Sequence, residues 1–235
     1  MELMIRNRKI LLTLVLFVCI KLIYLGCAYS WALNTSELAV WQYNQKYRSE
    51  KLALSEEQVS VLLKIEDPSF WTHSGVDIAT PGQGKTTITQ SIVPILLYRA
   101  DLQDWQATLQ SIYSKVWRVA KKIDLGRDIM AIALSKKISK NETLKIFVEQ
   151  AYMGSINNIY IFGLSTAANI YFNKSLQSLS HDEFASLVGM LKSPDYFNPI
   201  KNPNAFQERS EKVLKILSKS CLPEGLFDTD YNNCI

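Results

Sequence analysis

The sequence predicts an all-α domain carried on one N-terminal membrane helix. Three observations point there. An apolar stretch runs from Ile10 to Ala32, long enough to cross a bilayer as a helix. Downstream, apolar residues recur at helical spacing in segment after segment, while strand-like alternation is scarce. The 235 residues are 48% hydrophobic with 9 Gly and 7 Pro, the composition of a folded chain rather than a disordered one. There is no internal repeat and no low-complexity linker. A net charge of +4 is too small to argue for nucleic acid, and none is expected as a partner.

Residues 1–9 carry Arg6, Arg8 and Lys9 before the apolar span. Cationic flanks stay on the cytoplasmic side, so the expected order is a cytoplasmic start at 1–9, a transmembrane anchor at 10–32, and the rest outside. Lys21 interrupts the span, and its long stem can snorkel or face a partner. A cleaved signal peptide is the rival, since Ile10 to Ile20 has the length of its apolar core. A lipid-modified Cys27 after "YLG" is a third reading, but Tyr24 is bulky for such a site. Residues 33–49 read as a linker, 50–217 as the folded domain and 218–235 as a polar tail. That tail holds Cys221 and Cys234. Outside the cytoplasm two cysteines closing a short loop read as a disulfide. It would contribute about 3 kcal/mol by constraining the unfolded tail.

The helices follow in order. "SEEQVSVLLKIED" offers Ser55 as an N-cap with Gln58 three residues on, and apolar Val59, Leu62 and Leu63. "TTITQSIVPILLYRA" is capped by Thr86 or Thr87, and Pro94 kinks or shortens it. "LQDWQATLQSIYSKVWRVAKKI" has apolar residues at helical spacing and a basic end, and "RDIMAIALSKKI" follows. "KNETLKIFVEQAYMG" begins at Ser139 or Asn141; "STAANIYF", "SHDEFASLVGML" and "PNAFQERSEKVLKILSK" complete the set.

The stretch "TPGQGKTTITQS", Thr80 to Ser91, looks at first like a nucleotide-binding loop. That loop reads G-x-x-x-x-G-K-[ST], and the first glycine would fall on Ala79. It also follows a buried strand, whereas "FWTHSGVDIATP" has no strand-like apolar run. A nucleotide is therefore a poor match.

With the upstream segment included, the match improves. "EDPSFWTHSGVD", Glu66 to Asp77, followed by "GQGKTTITQS", resembles the first two motifs of the peptidoglycan glycosyltransferases. This is glycosyltransferase family 51, the transglycosylase domain of penicillin-binding proteins and its monofunctional anchored forms. The family reads E-D-x-x-F-x-x-H-x-G-x-D, then G-G-S-T-I-T-Q-Q. Glu66, Asp67, Phe70, His73, Gly75 and Asp77 stand in place, as do Gly84, Thr87, Ile88, Thr89 and Gln90. Downstream, "SKNETLKIFVEQAYMG", the segment ending "SPDYFNP" and "NPNAFQERSEKVL" with Arg209 are similar to later family segments. The resemblance covers about residues 50 to 217, and two dense ordered motifs make it specific.

The resemblance implies a lysozyme-like helical fold and polymerisation of lipid II into glycan strands, with release of a lipid diphosphate. The reaction joins the 4-hydroxyl of one sugar to the anomeric carbon of another, so a carboxylate must take the hydroxyl proton. Glu66 matches the family's general base; outside such a motif a helix-end glutamate is a solvated charge. Asp67 is expected to order the loop through backbone N–H groups, His73 to be a satisfied structural residue, and Gly75 to serve a turn. Phe70, Gln83, Gly84, Lys85, Thr86, Thr87, Thr89 and Gln90 are grouped with Asp67 and His73 as the substrate-binding set. The threonines and Gln90 offer donors to a diphosphate or sugar, and Thr86 or Thr87 can cap a helix as well. The resemblance admits a divalent cation, Mg or Mn, though no ligand cluster in the sequence demands one.

The departures are specific. The family's third motif is R-K-x-x-E, with a later acidic residue before S-K. Aligned from Ser139 and Lys140, its arginine falls on Ile123, its glutamate on Arg127 and the later acid on Ser135. The nearest carboxylates are Asp124 and Asp128. Either would need a shifted helix, and a one-residue shift turns a side chain by about 100°. In the second motif the family's lysine falls on Pro94, its second Gln is Ser91, and Lys85 replaces a glycine. One lost donor at a leaving group costs roughly 3 kcal/mol of catalysis. Arg127 and Asp128 join the substrate-binding set as candidates for the rebuilt donor side.

The basic segment Lys115, Arg118, Lys121, Lys122 and Arg127 is by default a solvated helix face; the alternative is contact with diphosphate or anionic headgroups. Trp105, Tyr113 and Trp117 would settle at the interface. The expected protein is a single-pass protein of the bacterial inner membrane, its catalytic domain on the periplasmic side. It would be a monofunctional form with no transpeptidase domain after Ile235. Its expected partners are lipid II, the growing strand, the membrane and other cell-wall synthesis proteins. Two alternatives remain: a lipid II-binding scaffold with impaired catalysis, and a glycan-cleaving enzyme on a related fold.

Overall fold

The computed structural model describes residues 2–47, 52–83, 86–98, 108, 124–226 and 228–234. The expected helix "LQDWQATLQSIYSKVWRVAKKI", with its aromatic and basic residues, lies outside them, as do Gly84 and Lys85.

Helix α1 spans Glu2–Tyr47 without a break. Its apolar turns from Ile10 to Ile23 face outward, and the most apolar window has a mean hydropathy of 2.6 with none of it buried. Further along, the same helix enters the core. Ala28, Trp31, Ala32, Ala39, Val40 and Tyr43 are buried. With buried Ser36 they place a buried residue every three or four positions from Ala28 to Tyr43, which keeps them on one stripe. Residues 33–47 are therefore not a linker, as the sequence suggested, but the last turns of α1. The Tyr43 hydroxyl donates to Glu149 at 2.7 Å and Asn44 donates to Glu142 at 2.8 Å, fixing this end to the domain.

Helix α2 spans Glu56–Glu66, α3 Ile88–Leu97, α4 Leu125–Ser135 and α5 Lys140–Gln150. Helix α6 spans Leu164–Phe172, α7 His181–Gly189 and α8 Pro203–Leu217. The start signals are local. Ser55 with Gln58, Thr87 with Gln90, and Ser180 with Glu183 form reciprocal capping boxes. Ser139, not Asn141, caps α5, and Asp124 caps α4 by accepting from the Arg127 N–H at 3.0 Å. Pro203 opens α8, where a missing N–H costs nothing. Pro94 sits inside α3 and the helix nevertheless runs on to Leu97. Buried Ile92, Val93, Leu96 and Leu97 hold it by packing.

One element departs from the helical expectation. Tyr152–Ile156 (β1) and Ile159–Phe162 (β2) form an antiparallel hairpin with Ile156 opposite Ile159. Asn157 and Asn158 turn it at φ 49° and 65°, a conformation asparagine tolerates better than most residues.

Helices α1, α3 and α4 pack together, α5 lies on α3, and α2 lies on α7 and α8. The first turn of α4 rests on the anchor. A Cβ at Gly126 would sit 2.5 Å from the Tyr24 hydroxyl, so a side chain there would have to push the tyrosine aside. An open groove of about 680 Å³ lies between α2, α7 and α8 and includes Glu57, Lys64 and His181. Lys64 and Glu66 are two residues apart, hence about 200° apart around α2. That groove is on the other side of the helix from the motif glutamate.

Candidate active site

Glu66 is the last residue of α2 and Asp67 caps its end through an N–H bond to the Leu63 carbonyl. The two neighbours have opposite surroundings. Asp67 is fully buried and saturated. It accepts from His73 Nε2 at 3.0 Å, from Gln83 Nε2 at 2.9 Å and from the Ile88 N–H at 2.9 Å. The last donor belongs to the first turn of α3, where an anionic oxygen is favoured. One carboxylate thus ties the end of α2 to the "HSG" turn, the Gln83 loop and the start of α3.

The turn is held on every side. His73 donates from Nε2 to Asp67, and its Nδ1 accepts from the Gly75 N–H at 2.9 Å. Gly75 adopts φ +99°, and a Cβ there would lie 2.4 Å from the Ala131 carbonyl oxygen. Thr87 caps α3 and also donates from its hydroxyl to the Gly75 carbonyl at 2.7 Å. Lys140 Nζ donates to the His73 carbonyl at 2.8 Å and lies 4.7 Å from the Phe70 ring centre. Burial lowers the Lys140 pKa, and the charge of Asp67 opposes that shift. Asp77 accepts from the Ser69 hydroxyl, the Thr80 hydroxyl and the Ala79 and Thr80 N–H groups. Burial pushes Asp77 up, but these bonds together hold it well below the usual carboxylate range.

Glu66 has no hydrogen-bond donor at its carboxylate among the described residues, and it keeps a partial opening to solvent. Burial, with the Asp67 charge adding to it, outweighs the pull of Arg209 and Lys192, and the net pKa is raised to about 7. A carboxyl half-protonated near neutrality is poised to exchange a proton. Arg209 is buried, donates from Nε to the Gly189 carbonyl at 3.1 Å, and stands over the Phe197 ring at 5.8 Å.

On the α3–α4 side, Gln90 Nε2 donates to Asp128 Oδ1 at 2.5 Å. Asp128 is half-buried; burial raises its pKa, while Gln90 and Arg127 oppose that and Asp124 adds to it. Two buried donors here have no partner among the described residues, the Thr89 hydroxyl and Arg127 Nε. Thr86 is exposed.

This geometry sorts the substrate-binding set. Asp67, Phe70, Thr87, Thr89 and Gln90 are at most 1% exposed, and His73 and Gln83 are engaged with Asp67. All but Thr89 hold one another or pack inside, so their place is beneath the site rather than on its surface. Gln83 in particular spends both ends of its amide, on Asp67 and on the Ser69 hydroxyl. Open to a ligand are Glu66, Thr86, Arg127 and Asp128. Lys140 and Lys192 escaped the sequence reading; a lysine on a helix face carries no local mark that it points at a site. Among the described residues no three His, Cys, Asp or Glu side chains converge into a metal cage.

The family assignment rests on the whole domain. The Transglycosylase family profile matches residues 34–218. The chain belongs to that family, the transglycosylase domain of penicillin-binding proteins. It is 29% identical over 172 residues to penicillin-binding protein 1B of Vibrio cholerae, covering 68% of this chain and 20% of that protein. It is 27% identical over 184 residues to penicillin-binding protein 1B of Escherichia coli, covering 72% of this chain and 20% of that one. Penicillin-binding protein 1A of Streptococcus oralis is 30% identical over 169 residues, 66% of this chain and 24% of the relative. The chain thus spans about a fifth to a quarter of the length of these relatives. The match begins at residue 34, inside α1, which agrees with the burial of that helix end.

Proposed function

We propose that the protein is a peptidoglycan glycosyltransferase that polymerises lipid II, with Glu66 as the general base. The observation that carries this is the pair at the end of α2. Asp67 is locked by three donors, while Glu66 beside it is unbonded, partly open and shifted to a pKa of about 7. Glu66 takes the proton from the acceptor 4-hydroxyl as that oxygen bonds to the donor's anomeric carbon. The bond between the anomeric carbon and the diphosphate oxygen breaks, and the lipid diphosphate leaves with the electron pair on that oxygen. Arg127 and Thr86 supply donors to that diphosphate, and Asp128 takes the place of the second family glutamate.

Membrane attachment through α1 suits a lipid-linked substrate, and Tyr24 against Gly126 brings α4 close to the span. Arg8 and Lys9 before the span support a periplasmic domain, and a paired Cys221 and Cys234 fits that compartment. A second reading, a lipid II-binding scaffold, draws on the third motif. Arg127 occupies the aligned glutamate position, and Asp128 is already bonded to Gln90.

Purified full-length protein given lipid II, beside Glu66→Gln, decides between them. Glycan strands made by the wild type and lost in the variant support the polymerase. Lipid II binding without polymer from the folded wild type leaves the scaffold. Shortening of added glycan would point to a cleaving enzyme instead.

A further inference from the structure

The tail after α8 takes no part in the chemistry above and lies beyond the family match, which ends at 218. It nevertheless packs against the site at three places. Cys221 and Cys234 are joined, their Cα atoms 5.7 Å apart. They are buried with Ile216 of α8, and this cluster packs on Ile65, the residue before Glu66. Tyr231, held at φ 51°, fills the space beside Gly82; a Cβ there would meet its hydroxyl at 2.6 Å. Gly82 precedes Gln83, the residue that bonds Asp67. Finally, Asp230 pairs with Lys192, which also donates to the Thr229 carbonyl at 2.6 Å, while Lys212 donates to the Asp230 carbonyl at 3.0 Å.

The electrostatics follow the same route. Lys192 and Arg209 are the cations whose charge reaches Glu66, and Asp67 is the anion. Asp230 and Tyr231 act in turn on Arg209. The tail therefore touches the turn that carries the base, the loop that supports Asp67, and Lys192, one of the two cations whose charge acts on the base.

We propose that the disulfide-closed tail, through Cys221, Asp230, Tyr231 and Cys234, is a positioning element of the site: it clamps the Glu66 turn to the Gly82 loop and occupies Lys192 through Asp230. The catalytic consequence rests on the polymerase reading given above; the clamping itself does not. With Asp230 neutralised, Lys192 keeps the Thr229 carbonyl but loses its ion pair, so more of its charge acts on Glu66 and stabilises its charged form. With the loop opened, Ile65 and Gly82 lose their cover.

Two variants of the full chain in detergent separate these effects. Asp230→Asn keeps the disulfide and changes only the charge. Its polymerisation profile on lipid II should show the acid limb moved about one pH unit lower, with KM changed less than about 3-fold. Cys221→Ser/Cys234→Ser opens the loop. It should lower kcat at least about 10-fold, since small misplacements of reacting groups cost up to about 100-fold. Hydrogen exchange gives the readout that needs no activity. In the double variant the amides of residues 65–67 and 82–83 should exchange at least 10-fold faster, while those of Lys140–Gln150 stay unchanged. Wild-type exchange at residues 65–67 and 82–83 would overturn the clamp, as would acceleration spread equally over the whole domain. An unshifted acid limb in Asp230→Asn would overturn the role of Asp230. If the wild type makes no polymer, the polymerase reading fails, and exchange alone decides whether the tail is a clamp.

Discussion

Gln90 Nε2 donates to Asp128 Oδ1 across 2.5 Å, and the same Gln90 closes the capping box of Thr87 with its Oε1. A residue that starts α3 thereby aims the carboxylate on the first turn of α4. The start of α3 and the orientation of an acid on α4 are thus coupled through one side chain.

If Asp128 serves in place of the second family glutamate, Asp128→Asn should lower kcat about 100-fold, in line with the loss of one preorganised charge at a developing charge. Asparagine can still meet Gln90 after its amide turns, so the thermal midpoint should stay within a few degrees of wild type. Steady-state polymerisation beside a melting curve checks this. An active Asp128→Asn enzyme would return the role to Asp124 or remove it.

The raised pKa of Glu66 sets a pH dependence with a definite sign. The base works deprotonated, so the rate should rise with pH through about 7 and lose that limb in Glu66→Gln. For stability, the folded state holds the proton more tightly than the unfolded state, whose value is 4.5. The Glu66 contribution is therefore most favourable below pH 4.5 and is lost as pH climbs through about 7. Glu66→Gln should be more stable than wild type at pH 8, by on the order of 3 kcal/mol, and indistinguishable at pH 4. Melting curves at the two pH values measure it; equal gains at both would refute the assignment.

Gly75→Ala should be severely destabilising. The position needs φ +99°, and the new methyl would meet the Ala131 carbonyl oxygen at 2.4 Å. Strain plus displacement of α4 from the turn should cost about 3 kcal/mol or more. The turn also carries His73 and receives Thr87, so activity should fall even where the protein still folds. Thermal unfolding and polymer yield at low temperature test both halves.

Thr87 separates capping from contact. Thr87→Ala removes the α3 cap and the bond to the Gly75 carbonyl, and should cost about 2 kcal/mol. Thr87→Ser keeps both hydroxyl bonds and should recover most of that. Because Thr87 is fully buried, KM for lipid II should change less in either variant than the melting temperature does. A KM increase of 10-fold in the serine variant would instead mean a direct substrate contact.

Much of this was legible in the sequence because it depends on one turn of chain at a time. Ser55 with Gln58 and Thr87 with Gln90 mark helix starts through bonds that span three residues. The apolar run after Arg8 and Lys9 marks the span, and the spacing from Glu66 to Asp77 marks the family. The Asn157–Asn158 turn between Ile156 and Ile159 carried a hairpin signal that the surrounding helical pattern hid. The tertiary structure alone decided which residues face a ligand and what charge they bear. Gln83 and Gln90 read as donors to substrate until folding turns them onto Asp67 and Asp128. Glu66 is an ordinary glutamate until Arg209 and Lys192 arrive from more than a hundred residues away, and burial outweighs them both. The physical reason is range: hydrogen-bonded caps act within a turn, whereas desolvation and Coulomb forces act through space between segments that only the fold brings together.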